Sequence, residues 1–124
     1  MALYKENENK LKLNVSDTRN DVFVKLDCYH GTMGWVTFYY KGVQRTDCGG
    51  EPATVGEASF LKGKSRIFTL SMNNPGGTPV KAKLTWVEQG SESLEYAFPD
   101  DYTGSPEFDK QDEHPTLKVR VEFK

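Results

Sequence analysis

A chain of 124 residues fits one domain and is long enough to bury a two-layer core without disulfide or metal staples. Its 36% hydrophobic, 27% charged and 12% aromatic residues exclude a disordered or collagen-like chain. A net charge of −2 leaves no basic excess to release counterions from a phosphate backbone, which argues against nucleic acid as a partner.

Apolar and polar residues alternate with period two from end to end, the pattern of half-buried strands. The opening MALYKENEN reads as a flexible segment over residues 1–9, after which Leu11, Leu13 and Val15 alternate with Lys10, Lys12 and Asn14. SDTRND turns the chain, and Val22, Val24, Leu26 and Cys28 then share one face. Residues 35–40 are apolar on both faces and end at Lys41 and Gly42. A weaker, glycine-interrupted stretch carries Val55, Ala58 and Phe60, and beyond KGK the residues Phe68, Leu70 and Met72 define another strand. NNPGG is the strongest breaker, since proline fixes φ and glycine accepts positive φ. Val80, Ala82, Leu84 and Trp86 follow, then Leu94, Tyr96 and Phe98, and finally Leu117, Val119, Val121 and Phe123. The reading is all-β: a single-domain, two-sheet antiparallel β-sandwich of about seven or eight strands, Ig-like or jelly-roll-like.

The segment YHGTMGWVTFYY at 29–40 concentrates aromatic rings around two glycines. If Gly31 to Gly34 close a hairpin, with Gly34 left-handed, Cys28 lies opposite Phe38. That register sends Val36, Phe38 and Tyr40 to the core. Tyr29, Trp35 and Tyr39 then form one outer face, flat apolar rings suited to stacking on a sugar or entering a lipid interface. A four-residue loop would flip the parity, sending Trp35 and Tyr39 to the core and Val36, Phe38 and Tyr40 outside. The other competing reading is plain packing beneath a loop or terminus. The same register sets Cys48 ten residues beyond Phe38, past a turn, so a Cys28–Cys48 disulfide is disfavoured and two free thiols are expected.

Cys28, His30, Cys48 and His114 supply zinc-type ligands without zinc-module spacing. Cys28 and His30, two residues apart on one face, are too far apart for a nucleophile and its base. The acidic loop from Pro99 to Pro115 is the longest irregular stretch, and Asp100, Asp101, Glu107, Asp109, Asp112 and Glu113 are oxygen ligands of the type calcium takes. It lacks the D-x-D-x-D-G order of an EF-hand. NVS at 14–16 is a glycosylation pattern of the kind that arises by chance. No catalytic residue, phosphate loop or nucleophile elbow is recognisable.

No run reaches the ~18 apolar residues of a transmembrane helix. The start lacks an apolar h-region, which favours the cytoplasm, although a mature secreted chain reads the same way. Size and acidity are similar to those of aegerolysin-type lipid-binding toxins and several lectins, but no motif carries a family assignment. The first functional reading is a non-enzymatic binding module engaging a glycan, lipid headgroup or protein through Tyr29, Trp35, Tyr39 and the loops. The alternatives are an assembly subunit, including a homo-oligomer, that pairs through strand edges, and a calcium-dependent or toxin-like membrane-binding module.

Overall fold

The computed structural model of the chain describes residues 2–39, 43–73, 80–89, 93–102 and 114–124. Among these, nine strands and one helical turn follow in order: β1 (Ala2–Leu13), β2 (Asp21–Tyr29), β3 (Met33–Tyr39), β4 (Val43–Asp47), β5 (Ala53–Glu57), α1 (Ala58–Leu61), β6 (Ser65–Asn73), β7 (Lys81–Glu88), β8 (Ser93–Phe98) and β9 (His114–Phe123). They form a five-stranded sheet A, in the order β1-β9-β6-β3-β4, and a four-stranded sheet B, in the order β5-β2-β7-β8. The all-β, two-sheet expectation is met. Two details differ from it: β1 pairs with β9 in parallel, and residues 2–9, read as a flexible segment, extend β1 along β9 from Ala2.

Strand parity decides the core. In β7 the burial alternates perfectly, sending Ala82, Leu84 and Trp86 inward, and in β6 the inward set is Phe68, Leu70 and Met72. The two sheets meet where Phe68 of sheet A stands edge-on to Trp86 of sheet B, ring centroids 5.3 Å apart. Phe38 continues the stack, 5.3 Å from Phe68. Each such side chain removed from water contributes about 1.5–3 kcal/mol, so this aromatic line helps to hold the layers together.

β2 and β3 are not a hairpin. β2 pairs with β5 and β7 in sheet B, whereas β3 pairs with β4 and β6 in sheet A. The chain changes sheets through a tight turn in which His30 and Gly31 both take positive φ, 57° and 76°, and Thr32 N donates to the Tyr29 carbonyl at 3.0 Å. Buried Thr32 then accepts a bond from Lys81 N at 3.0 Å, which fixes the exit toward sheet A. Gly34 is therefore not the left-handed residue of a hairpin loop. It lies within β3 facing inward, and a Cβ there would meet the Ser71 carbonyl oxygen at 2.8 Å and Cys28 Sγ at 3.4 Å.

That crossing overturns the free-thiol expectation. Cys28 and Cys48 form a disulfide with Cα atoms 5.8 Å apart. β4 runs back along β3 until Cys48 N donates to the Gly34 carbonyl at 3.1 Å, and β2 brings Cys28 Sγ against the bare face of the same glycine. The bond thus ties sheet B to sheet A, an arrangement that no single-sheet hairpin allows. Phe60, expected on a strand beside Ala58, instead lies exposed on α1. Tyr40, expected in the core, lies outside the described residues.

Two measurements follow from Gly34 and the disulfide. Replacing Cys28 and Cys48 together with Ala should lower the unfolding free energy by about 3 kcal/mol, the loop-closure value for a sequence separation of 20. Denaturant curves that coincide with those of the parent would contradict the cross-link. Gly34→Ala should cost about 1–3 kcal/mol by the same assay, because the close neighbour is backbone and cannot rotate away.

Candidate functional site

The outer faces of the two sheets differ in chemistry. On sheet B, Lys25 stands 3.8 Å from Asp27, and Lys83 stands 3.9 Å from Glu95. Tyr29 belongs to this face, with Lys81 Nζ 5.9 Å from its ring centroid. On sheet A, β3 turns Met33, Trp35 and Tyr39 outward, at 57%, 38% and 72% exposure. Trp35 pairs with Ser71 and Thr37 with Thr69 across the ladder to β6, and Ile67, two residues further along the same register, is also exposed.

The three expected rings are therefore divided. Parity placed each ring outward as expected, but the sheet crossing puts Tyr29 on sheet B and leaves Trp35 and Tyr39 together on sheet A. These two sit on one strand four residues apart, about 13 Å along the chain. The strand that carries them is flanked by β4 and β6, so the rings stand on a braced backbone and not on an edge. On the β9 side of the same face lie Lys118 and Arg120, which pair across the ladder with Thr69 and Ile67.

One end of β3 opens into a cleft between the sheets. Its wall is formed by Tyr39, Val55, Gly56, Glu57, Phe60, Leu61 and Arg66, enclosing a volume of about 440 Å³. Val55 and Leu61 are buried and give the floor its apolar character. Gly56 (φ 156°) allows Leu61 to pack close, since a Cβ there would touch the leucine side chain at 3.4 Å. Arg66 precedes Phe68 by two positions and so has inward parity. Coming at the start of β6, it turns toward the end of the layer, where Nη1 donates to the Ser65 carbonyl at 2.9 Å. Phe60 is 58% exposed, with Lys64 Nζ 3.6 Å from its ring centroid and donating to its carbonyl at 2.7 Å.

The cleft wall is supported from behind by a buried carboxylate. Parity in β7 carries Glu88 inward after Trp86, and it is 1% exposed. Its oxygens accept bonds from Ser16 N at 2.6 Å, from the Ser16 hydroxyl, and from Asn20 Nδ2 at 3.3 Å. The segment so held offers its carbonyls to α1: Ala58 N donates to Asn20 O and Ser59 N to Thr18 O, both at 2.8 Å. Lys62 Nζ completes the latch by donating to Val15 O at 3.1 Å. Burial alone would raise the Glu88 pKa, but the Ser16 and Asn20 hydrogen bonds and the Lys62 charge outweigh it and hold the carboxyl below its usual value.

The remaining sequence candidates are placed as follows. With the sulfurs of Cys28 and Cys48 bonded to each other, neither the zinc reading nor the Cys28–His30 nucleophile keeps its thiolate. Asp100 and Asp101 are exposed in the turn after β8, where Asp101 Oδ2 accepts from Ala97 N at 3.0 Å. Glu107, Asp109, Asp112 and Glu113 lie outside the described residues. Among the described residues no group of three His, Cys, Asp or Glu side chains is arranged to hold a metal, and no helix is long and apolar enough to cross a membrane. No family model matches the chain, and no curated protein or solved structure is significantly similar to it.

The latch predicts a specific acid limb. Since Glu88 titrates below an unfolded glutamate, it contributes stability that is fully present above about pH 4.5 and is lost as pH falls through the depressed value. Glu88→Gln should lower stability at pH 7 by about 1–3 kcal/mol and flatten the decline that sets in as pH falls below about 4.5. An unchanged acid limb would mean that other carboxylates carry it.

Proposed function

We propose that this chain is a non-enzymatic binding module whose ligand is a glycan laid along the outer face of sheet A, with Trp35 and Tyr39 as the stacking rings. The observation that carries this reading is the exposure of Met33, Trp35, Tyr39 and Ile67 together on one sheet face, which also holds Lys118, Arg120 and the Glu122–Lys124 pair of β9, whereas on the outer face of sheet B a single exposed ring, Tyr29, stands among two ion pairs. Exposures of 72% at Tyr39, 57% at Met33 and 38% at Trp35 support rings open to a ligand over packing beneath a loop or terminus. A planar ring gains from a flat apolar partner such as the C–H face of a sugar, and a braced strand holds two rings at fixed separation with little ordering cost. Hydroxyl side chains on the same face, Thr37, Thr69 and Ser71, are half-buried beside the rings and can exchange hydrogen bonds with sugar hydroxyls.

The Cys28–Cys48 bond supports a working place that is oxidising, where glycans on cell surfaces and in matrices are met. This reading replaces the cytoplasmic expectation, which rested on the opening residues alone.

A glycan array probed with the labelled protein should give binding that Trp35→Ala weakens by about tenfold, the worth of one stacked ring at ~1.5 kcal/mol. Of the two tryptophans, Trp86 is fully buried, so added glycan should reduce acrylamide quenching through Trp35 alone. A blank array together with capture by anionic vesicles would replace the glycan with a lipid surface. Binding indifferent to Trp35→Ala and Tyr39→Ala would remove this face from the function.

A further inference from the structure

The cleft at the end of β3 adjoins the aromatic face through Tyr39, yet its wall has a chemistry of its own. We propose that it is a second, end-on subsite that takes a single neutral pyranose ring, the terminus or a branch of the glycan that lies on sheet A. This subsite rests on the glycan reading of the sheet face.

Three observations select that ligand. The first is charge. Glu57 and Arg66 are both in the wall, one carboxylate and one guanidinium. Among the described wall residues these two formal charges cancel, so an anionic ligand gains from one and is repelled by the other, and a cationic ligand meets the reverse. A guanidinium only donates hydrogen bonds and a carboxylate only accepts them. A pair of neighbouring sugar hydroxyls does both, and so matches this pair without a charge of its own.

The second observation is the rings. Phe60 and Tyr39 are among the most exposed large apolar side chains of the described residues, at 58% and 72%, and both belong to this wall. Lys64 Nζ, 3.6 Å from the Phe60 ring centroid, takes one face of that ring, and Phe60 remains 58% exposed with Lys64 in place. Flat apolar flanks with a few placed polar groups are what a ring with one C–H face and an edge of hydroxyls requires.

The third is size and stiffness. A volume of about 440 Å³ lies in the ~300–1,000 Å³ range of small-molecule sites. The floor of Val55 and Leu61 is buried, and α1 is held by the backbone bonds to Thr18 and Asn20, so the walls are formed before any ligand arrives.

The test uses the whole chain and a panel of methyl pyranosides: neutral glucoside, galactoside, mannoside and N-acetylglucosaminide, with a glucuronide and a 2-amino sugar as charged controls. Binding is read by saturation-transfer NMR and titration. At least one neutral glycoside should bind, and Phe60→Ala and Arg66→Lys should each weaken it by about tenfold, Arg66→Lys retaining the charge and the fold while losing the planar fork. Trp35→Ala should leave this monosaccharide binding unchanged while reducing capture on the array.

Neutral glycosides that bind but respond only to Trp35→Ala would overturn the cleft and keep the sheet face. A glucuronide or amino sugar that binds better than every neutral ring would overturn the paired-charge argument. Array binding lost in Trp35→Ala, with no monosaccharide bound by the parent protein, would likewise remove the end-on subsite alone. Failure of both the array and the panel would remove the two readings together.

Discussion

The transfer of the chain from sheet B to sheet A between Tyr29 and Met33 is the constraint on which the rest of the molecule depends. A hairpin at this point would have kept β2 and β3 side by side, with all three rings of this segment on one surface. The positive φ values of His30 and Gly31, followed by the Thr32 bond to Lys81, direct the chain across the core. Gly34 is where the crossing is secured: it accepts the Cys48 amide, leaves space for Cys28 Sγ and lies against the Ser71 carbonyl. A disulfide at that seat constrains the unfolded chain beside a tight turn that joins the two layers. One consequence is functional, because Trp35 and Tyr39 then face away from the charged surface of sheet B.

A second line of dependence runs from a polar core residue to the cleft. Glu88 is taken inward by the parity of β7, and its desolvation is offset by donors from Ser16 and Asn20. The carbonyls of the same segment accept from the first amides of α1, a helix of four residues that has no side-chain cap. Such a short helix has no stability of its own. Its position, and with it the position of Phe60 and Leu61, is set by the loop that Glu88 holds. Loss of the carboxylate therefore reaches the cleft wall through two sets of hydrogen bonds, without any direct contact.

Strand parity was readable where one face is polar, as in β2, β7 and β9, but β3 is apolar on both faces: in the sequence, Val36 and Phe38 inward and Trp35 and Tyr39 outward follow only from a hairpin register that the structure does not have. Partnership was not readable, since alternation says which face a residue takes but not which sheet receives the strand. The disulfide shares that cause. Ten residues beyond Phe38, Cys48 looked remote only under a hairpin register, and β4 in fact returns it to the start of β3. The short helix left no periodic signal at four residues. Arg66 and Glu88 did leave one: each continues an inward apolar series, two positions before Phe68 and two after Trp86. A charged residue at an inward position near a strand end marks a layer end that is polar, and both positions fit that rule.

The two proposed ring sites would make different demands, and the fold offers a different device for each. Stacking along an extended ligand needs fixed spacing, which β3 supplies as an inner strand with Trp35 and Tyr39 on the same side. Selecting one ring among many needs enclosure and directional polar groups, which a flat sheet cannot provide. The end of the sandwich can, because there the layers part and α1 closes one side, so that Arg66 and Glu57 face a common space above a buried apolar floor. Tyr39 belongs to both surfaces. A glycan spanning the two proposed sites would gain from the second contact without a second loss of translational freedom, so two weak sites joined by one residue would hold a chain end more firmly than either would hold a free sugar.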